Sequence, residues 1–187
     1  MTVNIFFLDP DPKAAAQMQC DRHVVKMILE SAQLLSTAHR LLDGDDWANS
    51  HSLYKVTHKN HPSAVWARAG ADNYKWLYRH FLGLCDEYRY RYGKIHLSET
   101  KLSDVLWFTP VCIDHNVAFT PPPQCMPDVY KNECTVKAYQ SYYRLDKSVN
   151  DWFAYNKMRS RPNFLAGDSN GCGQENQEVS GGQFSAT

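Results

Sequence analysis

The stretch that decides the fold is residues 21–42, DRHVVKMILESAQLLSTAHRLL. On a helical wheel, its apolar side chains cover most of the circumference, which is typical of a helix that is buried on nearly every side. Asp43-Gly44 ends the pattern. Burying polar groups without partners would cost several kcal/mol, so this helix needs partners or a water-filled cavity for its polar arc. That arc consists of His23, Lys26, Glu30, Gln33 and Thr37.

A second long helix is predicted over residues 72–92, ended by Gly93. Its residues Asn73, His80 and Glu87 are spaced by seven and therefore lie on one line beside the core stripe. Each long helix thus carries a histidine and a glutamate seven residues apart, the raw material for general acid–base chemistry. We expect the two stripes to face each other. The alternative is a structural polar network that pairs these groups in the interior. The candidate catalytic residues are His23, Glu30, His80 and Glu87.

Shorter elements surround the two long helices. We expect one β-rich N-terminal strand, a short helix opened by an Asp11-Pro12 cap, an ordered loop, a helix opened by Pro62, two further helices and a proline-rich extended segment. The fold class is therefore mainly α: a compact, bundle-like single helical domain over residues 1–165, with at most one short strand. Residues 166–187 are rich in Gly, Ser and Gln and are predicted to be disordered. The shorter elements are expected at residues 2–8, 12–19, 44–60 (the loop), 62–70, 98–108, 109–128 (the extended segment) and 133–147.

Composition limits the partners. With 20 basic and 20 acidic residues among 187, the net charge is zero, so no global positive field gathers nucleic acid and any such binding rests on a local patch. No apolar run approaches the length of a membrane span, and no membrane partner is expected. Six separated cysteines without a C-x-x-C pair, together with the absence of a signal-peptide pattern at the N-terminus, favour a cytoplasmic location.

A polar loop, Thr57-His58-Lys59-Asn60-His61-Pro62-Ser63, leads into a predicted helix. Free backbone N–H groups at a helix start, beside a lysine and two histidines, would form an anion or phosphate site. The alternative is that Asn60 or His61 only caps the helix and that the loop is solvated. The candidate substrate or phosphate ligands are Lys26, Gln33, His58, Lys59, His61, Arg68 and Asn73.

Metal binding was weighed separately. Cys20-x-x-His23 and His58-x-x-His61 together offer four possible zinc ligands, but neither pair has the spacing of a familiar zinc motif. We therefore assign no metal ligands, and the sequence indicates no particular cofactor.

Two further patterns bear on function. Residues 88–94, YRYRYGK, alternate aromatic and basic side chains, a weak sign of nucleic-acid binding when they lie on a helix. The phosphate-binding loop motif of kinases, the nucleophile elbow of hydrolases, the H-E-x-x-H zinc motif and the dinucleotide fingerprint are all missing from the sequence. The chain is therefore not a P-loop kinase by itself.

Several strings are similar to those of a family found in tailed bacteriophages, cyanophages included. They are FLDP at residues 7–10, CDRHVVKM at 20–27 with Glu30 and QLL at 33–35, and THKNHP at 57–62. Over roughly residues 1–147 the chain resembles the helical domain associated with 5-hydroxymethyluracil DNA kinases. The resemblance implies a setting of phage nucleotide or DNA-base modification and names no catalytic residue.

We therefore expect a phage-type protein that acts on nucleic acid or nucleotide in DNA base modification, in the host cytoplasm. A His/Glu pocket and a phosphate-binding helix start would form its site. The alternatives are a non-catalytic nucleic-acid-binding module that serves a separate modification enzyme, and a metal-dependent hydrolase. Catalysis predicts that the stripes meet in one cavity, whereas a binding module predicts buried stripes and an exposed patch of Arg89, Tyr90 and Lys94.

Overall fold

The two long helices form the centre of the molecule. The computed structural model describes residues 3–166. Helix α2 spans Asp21–Leu42 and helix α5 spans Ala71–Tyr92, and the two pack against each other over much of their length. Leu34 and Phe81, which the helical periodicity predicts to be core residues, are both fully buried. The expected fold class is confirmed: within the described residues the chain is mainly α, and no strand is formed.

Within residues 3–166 the chain forms five shorter α-helices, four of which contact this pair. Local signals explain most of their starts: Asp11 caps the first of them, with Pro12 at its first position, and His61 caps the helix opened by Pro62. The bounds are α1 Pro12–Gln17, α3 Asp45–Ser50, α4 Pro62–Ala69, α6 Leu97–Leu106 and α7 Thr135–Tyr142, with a 3₁₀ turn at Asp128–Tyr130, a π-helical turn at Tyr143–Lys147 and a 3₁₀ turn at Asn163–Ala166.

The N-terminal segment, residues 3–8, has no regular secondary structure and does not form the expected strand. A strand needs a neighbouring strand for its backbone groups, and here side chains from distant elements take that place. Gln19 donates to the Ile5 carbonyl oxygen, and Gln140 donates to that of Leu8. The segment therefore runs through the core as a buried, isolated chain.

Three other expectations need correction. The loop predicted over residues 44–60 contains α3, which forms because Trp47 stacks on His39 of α2. Helix α6 is capped by His96 rather than by Ser98, since the His96 ring accepts a hydrogen bond from the Ser98 backbone N–H. The helix expected over residues 133–147 starts two residues later and ends in the π-helical turn. The predicted tail lies outside the described residues except for Ala166.

No helix among residues 3–166 combines the length and apolarity needed to cross a membrane.

Candidate functional site

Glu30 lies at the point where the N-terminal segment meets α2. Its carboxylate pairs with Lys26 one turn earlier at 2.8 Å, and the backbone N–H of Asn4 donates to it at 3.4 Å. The Glu30 side chain remains 12% exposed. Two donors on different elements thus orient a carboxylate that solvent can still reach.

Asn4 organises the bend that brings the N-terminal segment to this place. Its side-chain oxygen accepts hydrogen bonds from the Ile5 and Phe6 backbone N–H groups, and its amide donates to the Cys125 carbonyl oxygen at 2.9 Å. Phe6 has a φ of 54°, a conformation that an aromatic residue rarely adopts and that costs about 1–3 kcal/mol. The surroundings hold Phe6 in this conformation, and its ring stacks on that of His23 at 4.3 Å.

A cavity of about 730 Å³ adjoins this bend. Its walls combine proline rings and a methionine with a few polar groups, a lining that suits a flat, partly polar ligand. Glu30 is not one of the lining residues; Asn4, which bonds both Glu30 and the Cys125 carbonyl oxygen, links it to the cavity wall. The lining residues are His61, Pro62, Pro123, Gln124, Cys125, Met126, Pro127, Lys131 and Tyr142.

His61 connects the cavity to helix α4. Its Nδ1 atom accepts the backbone N–H of Ser63 and caps the helix, which is the role that the alternative to a phosphate site predicted for it. Burial lowers the pKa of His61, the nearby His58 lowers it further, and Glu30 raises it. The imidazole is therefore predominantly neutral near pH 7, with Nε2 as its remaining polar atom.

His23 lies seven residues before Glu30 on α2 and is almost completely buried. Its Nδ1 atom is 2.8 Å from the Tyr143 hydroxyl, and Trp152 lies against its ring. Burial, followed by the charges of Lys26, Lys147 and Arg22, lowers the pKa of His23 to about 3.

His80 and Glu87 on α5 have different surroundings. His80 is fully buried, stacks on Trp76 and contacts the Gln19 amide at 3.1 Å. Glu87 is enclosed by two guanidinium groups, those of Arg91 and Arg159. Within residues 3–166, no hydrogen bond, ion pair or ring contact joins His23 or Glu30 to His80 or Glu87. The two stripes therefore occupy separate environments.

The other predicted ligands are divided between the surface and the core. His58 and Lys59 are exposed, Gln33 is half-buried, and Arg68 is half-buried with one guanidinium nitrogen that lacks a partner. Asn73, by contrast, is buried and joined to Trp66 and Thr120 by hydrogen bonds.

The four residues weighed as zinc ligands do not come together. In the described part of the chain, no group of three or more His, Cys, Asp or Glu side chains is placed to hold a metal ion. Arg89, Tyr90 and Lys94, the patch that a binding module predicts, are all exposed, although Arg89 pairs with Asp86 and Glu99 and Arg159 lies over the ring of Tyr90.

Sequence reasoning missed the partners that lie far along the chain. Tyr143 and Trp152 around His23, and the cavity wall from residue 123 onward, come from segments whose position no local pattern reveals. One signal was available: Asn4 is the single polar residue in the run VNIFFL, and an isolated polar residue in a buried segment needs a specific partner.

Comparison with curated proteins and with solved structures gave no match. A family model does match residues 3–100, which contain every predicted site residue but neither Tyr143 nor most of the cavity wall. It is not the helical domain associated with 5-hydroxymethyluracil DNA kinases, and no comparison supports that resemblance. The chain belongs to the family described as pyrimidine dimer DNA glycosylase, a DNA-acting family.

Proposed function

We propose that this protein removes a damaged pyrimidine from DNA by breaking the bond between C1′ of the deoxyribose and the base nitrogen. The family description supports this reaction class. The observation that supports this location is the arrangement of Glu30, a half-buried carboxylate that pairs with Lys26 and accepts from the backbone of Asn4, whose side chain in turn bonds Cys125 of the cavity wall.

The chemistry needs a negative group near the sugar. As the bond breaks, its electron pair leaves with the base, which takes up a proton, and positive charge develops on the deoxyribose. The Glu30 carboxylate stabilises that charge and accepts a proton from the water whose oxygen adds to C1′. The donors from Lys26 and Asn4 hold the carboxylate in place before the substrate arrives.

A base in a duplex has to leave the stack before an enzyme can act on it. The cavity, with Pro123, Met126 and Tyr142 in its wall, gives a flat base an apolar place, and His61 and Lys131 provide polar groups there. We assign substrate binding to this cavity.

Phosphate contacts follow from the surface placement of the basic residues. Lys59 and His58 lie exposed beside the start of α4, and Arg68, in the last turn of that helix, has no acidic partner among the described residues. We keep these three as phosphate ligands, with Lys26 and Gln33 on the neighbouring face of α2. Asn73, His80 and Glu87 are buried among protein partners, and we assign them structural roles.

We propose a phage genome as the biological setting of this reaction. In a phage genome with modified pyrimidines, the same site would take a base such as 5-hydroxymethyluracil, and a separate modification enzyme would be its partner in the host cytoplasm. This setting rests on the resemblance of the strings at residues 20–27 and 57–62 alone. In both the base-modification proposal and the glycosylase proposal, the target is a pyrimidine in DNA.

The test is Glu30→Gln, which keeps the size of the side chain and removes its charge. Purified protein is incubated with three duplexes that differ at one position: a thymine dimer, a 5-hydroxymethyluracil or an unmodified thymine. We expect wild-type protein to break one glycosidic bond of the dimer, which is counted as an abasic sugar because that base stays joined to its neighbour, and Glu30→Gln to do so at least about tenfold more slowly, a barrier increase of about 1.4 kcal/mol.

Glu133→Gln, a change at an exposed carboxylate, is the matched control and should behave as wild type. Thermal melts show whether each variant is folded. Full activity in Glu30→Gln would show that Glu30 is not the catalytic carboxylate. Binding without base release from any duplex would identify a binding module. Release from the 5-hydroxymethyluracil duplex but not from the dimer duplex would favour base modification.

A further inference from the structure

The hydroxyl of Tyr143 lies within hydrogen-bond distance of two nitrogen atoms. Tyr143 is fully buried, and its oxygen lies 2.9 Å from the Cys20 backbone nitrogen and 2.8 Å from Nδ1 of His23. A backbone N–H can only donate, so the tyrosine oxygen accepts from Cys20. Its own proton is therefore available for His23.

This arrangement determines the tautomer of His23. The Tyr143 hydroxyl can also bond the Cys20 sulfur, but an imidazole nitrogen is the stronger acceptor, so the Tyr143 proton goes to Nδ1 and the proton of the neutral imidazole resides on Nε2. Nε2 makes no hydrogen bond within residues 3–166, and it is not among the fully buried atoms that lack a partner, so it remains in contact with solvent. His23 thus presents one N–H group outward.

The ring cannot easily turn. Phe6 stacks on it at 4.3 Å, Tyr143 lies at 5.3 Å and Trp152 at 5.2 Å between ring centroids. Arg22 in turn lies over Trp152 at 5.3 Å. Aromatic packing on several sides fixes the direction of the Nε2–H bond.

The charges nearby favour an anion. Lys26, Lys147 and Arg22 all act electrostatically on His23. Lys26 and Lys147 are already paired with Glu30 and Asp146, so Arg22, which forms no ion pair within residues 3–166, is the charge left to favour an anion.

We propose that Tyr143 is a positioning residue that holds His23 as a neutral Nε2–H donor for a phosphodiester oxygen of the bound DNA. This inference rests on the proposed function only in taking DNA as the ligand. Tyr143 and Lys147 begin and end the π-helical turn, and both lie beyond the residues that match the family model. The donor is neutral throughout the physiological pH range, so the contact does not switch with pH.

The first experiment reads the tautomer directly. Long-range ¹⁵N–¹H correlation spectra of full-length protein between pH 5 and 8 should show His23 protonated at Nε2 alone, with no titration. Tyr143→Phe should populate both tautomers. Tyr139→Phe is the matched control, because its buried hydroxyl bonds Pro123 and Cys125 rather than His23. A proton on Nδ1, or a His23 that titrates near pH 6.5 in wild-type protein, would overturn the proposal.

The second experiment measures how two His23 variants bind an undamaged fluorescent duplex. It remains informative if Tyr143→Phe does not fold. Glutamine can place its amide N–H near the position of Nε2, whereas asparagine reaches only that of Nδ1. We expect His23→Gln to bind within about threefold of wild type and His23→Asn to bind about tenfold more weakly, as for a lost hydrogen bond to a charged group. Equal binding by all three proteins would refute the phosphate contact. Binding with these differences but without base release would refute the glycosylase function alone.

Discussion

His80 is a histidine that the fold keeps neutral. It is fully buried, its Nε2 contacts the Gln19 amide, and its Nδ1 has no hydrogen-bond partner among the described residues. Burial alone lowers its pKa to about 3. The sequence pattern makes His80 a catalytic candidate, because spacing shows which residues share a helix face but not whether that face meets solvent.

This burial predicts a loss of stability in acid. The unfolded chain protonates His80 near its ordinary pKa of 6.5 while the folded chain does so near 3, so the unfolded state binds more protons between these values. Stability is complete above about pH 6.5 and falls as pH decreases toward 3, by at most about 1.4 kcal/mol per pH unit for each such group. His23 behaves in the same way. Urea titrations at pH 7.5 and 5.0 measure the loss.

His80→Gln keeps a polar side chain that does not titrate, so it serves as the test variant. We expect its loss between pH 7.5 and 5.0 to be about 2 kcal/mol smaller than that of wild type, whatever its absolute stability. An identical loss in both proteins would show that His80 is not held neutral.

At the scale of elements, the sequence predicts the helices whose bounds are set by local apolar periodicity and by glycine at the helix end. Helices α2 and α5 carry long apolar periods, and Gly44 and Gly93, both with positive φ, lie at their C-terminal ends. Helix α3 and the isolated N-terminal segment make contacts with separate elements, Trp47 with His39 of α2 and Leu8 with Gln140 of α7. No local pattern contains those contacts.

Helices α1 and α5 approach each other closely at Gly83. A β-carbon there would lie 3.1 Å from the Ala16 β-carbon and 3.2 Å from the Lys13 α-carbon. Gly83→Ala gains about 1 kcal/mol of helix propensity, but overpacking against α1 costs about 1–3 kcal/mol. We expect a net loss, measured by urea unfolding.

A double-mutant cycle separates packing from propensity. Ala16→Gly removes the atom nearest to the new methyl group, so the loss caused by Gly83→Ala should shrink by at least about 0.5 kcal/mol in that background. Additive effects, or a stabilised Gly83→Ala single variant, would mean that α1 moves aside freely.

At the scale of the molecule, one ionic network joins segments from both halves of the chain. Arg91 donates to Glu87, to Asp21 and to the backbone carbonyl oxygens of Gln17 and Gln19. Arg159, from the segment after α7, donates twice to the same glutamate. The network therefore fastens residues beyond the family match to its matched core.

The candidate site also combines contacts between residues close in sequence with contacts between residues distant in sequence. The α2 residues Lys26 and Glu30 lie together as the helical spacing predicts, since an i, i+4 pair is a local matter. The cavity could not be foreseen, because most of its wall comes from residues 123–142, which reach α2 only through the tertiary fold. The sequence therefore predicts the α2 part of the site, and only the structure reveals the cavity.

Glu87→Gln distinguishes the structural role proposed for Glu87 from the catalytic role that its spacing with His80 suggested. The glutamate side chain is 3% exposed and faces two guanidinium groups, so the neutral amide would leave buried positive charge uncompensated. We expect the free energy of unfolding to fall by about 3–5 kcal/mol, while the folded fraction releases base at the wild-type rate. Urea unfolding and base release per folded molecule, measured at a temperature where the variant remains native, give both numbers. Lys157→Ala, at an exposed position two residues before Arg159, controls for general effects in that segment and should change neither quantity. A stable Glu87→Gln protein that had lost activity would return Glu87 to the catalytic site, and Glu30 would then no longer be the sole candidate carboxylate.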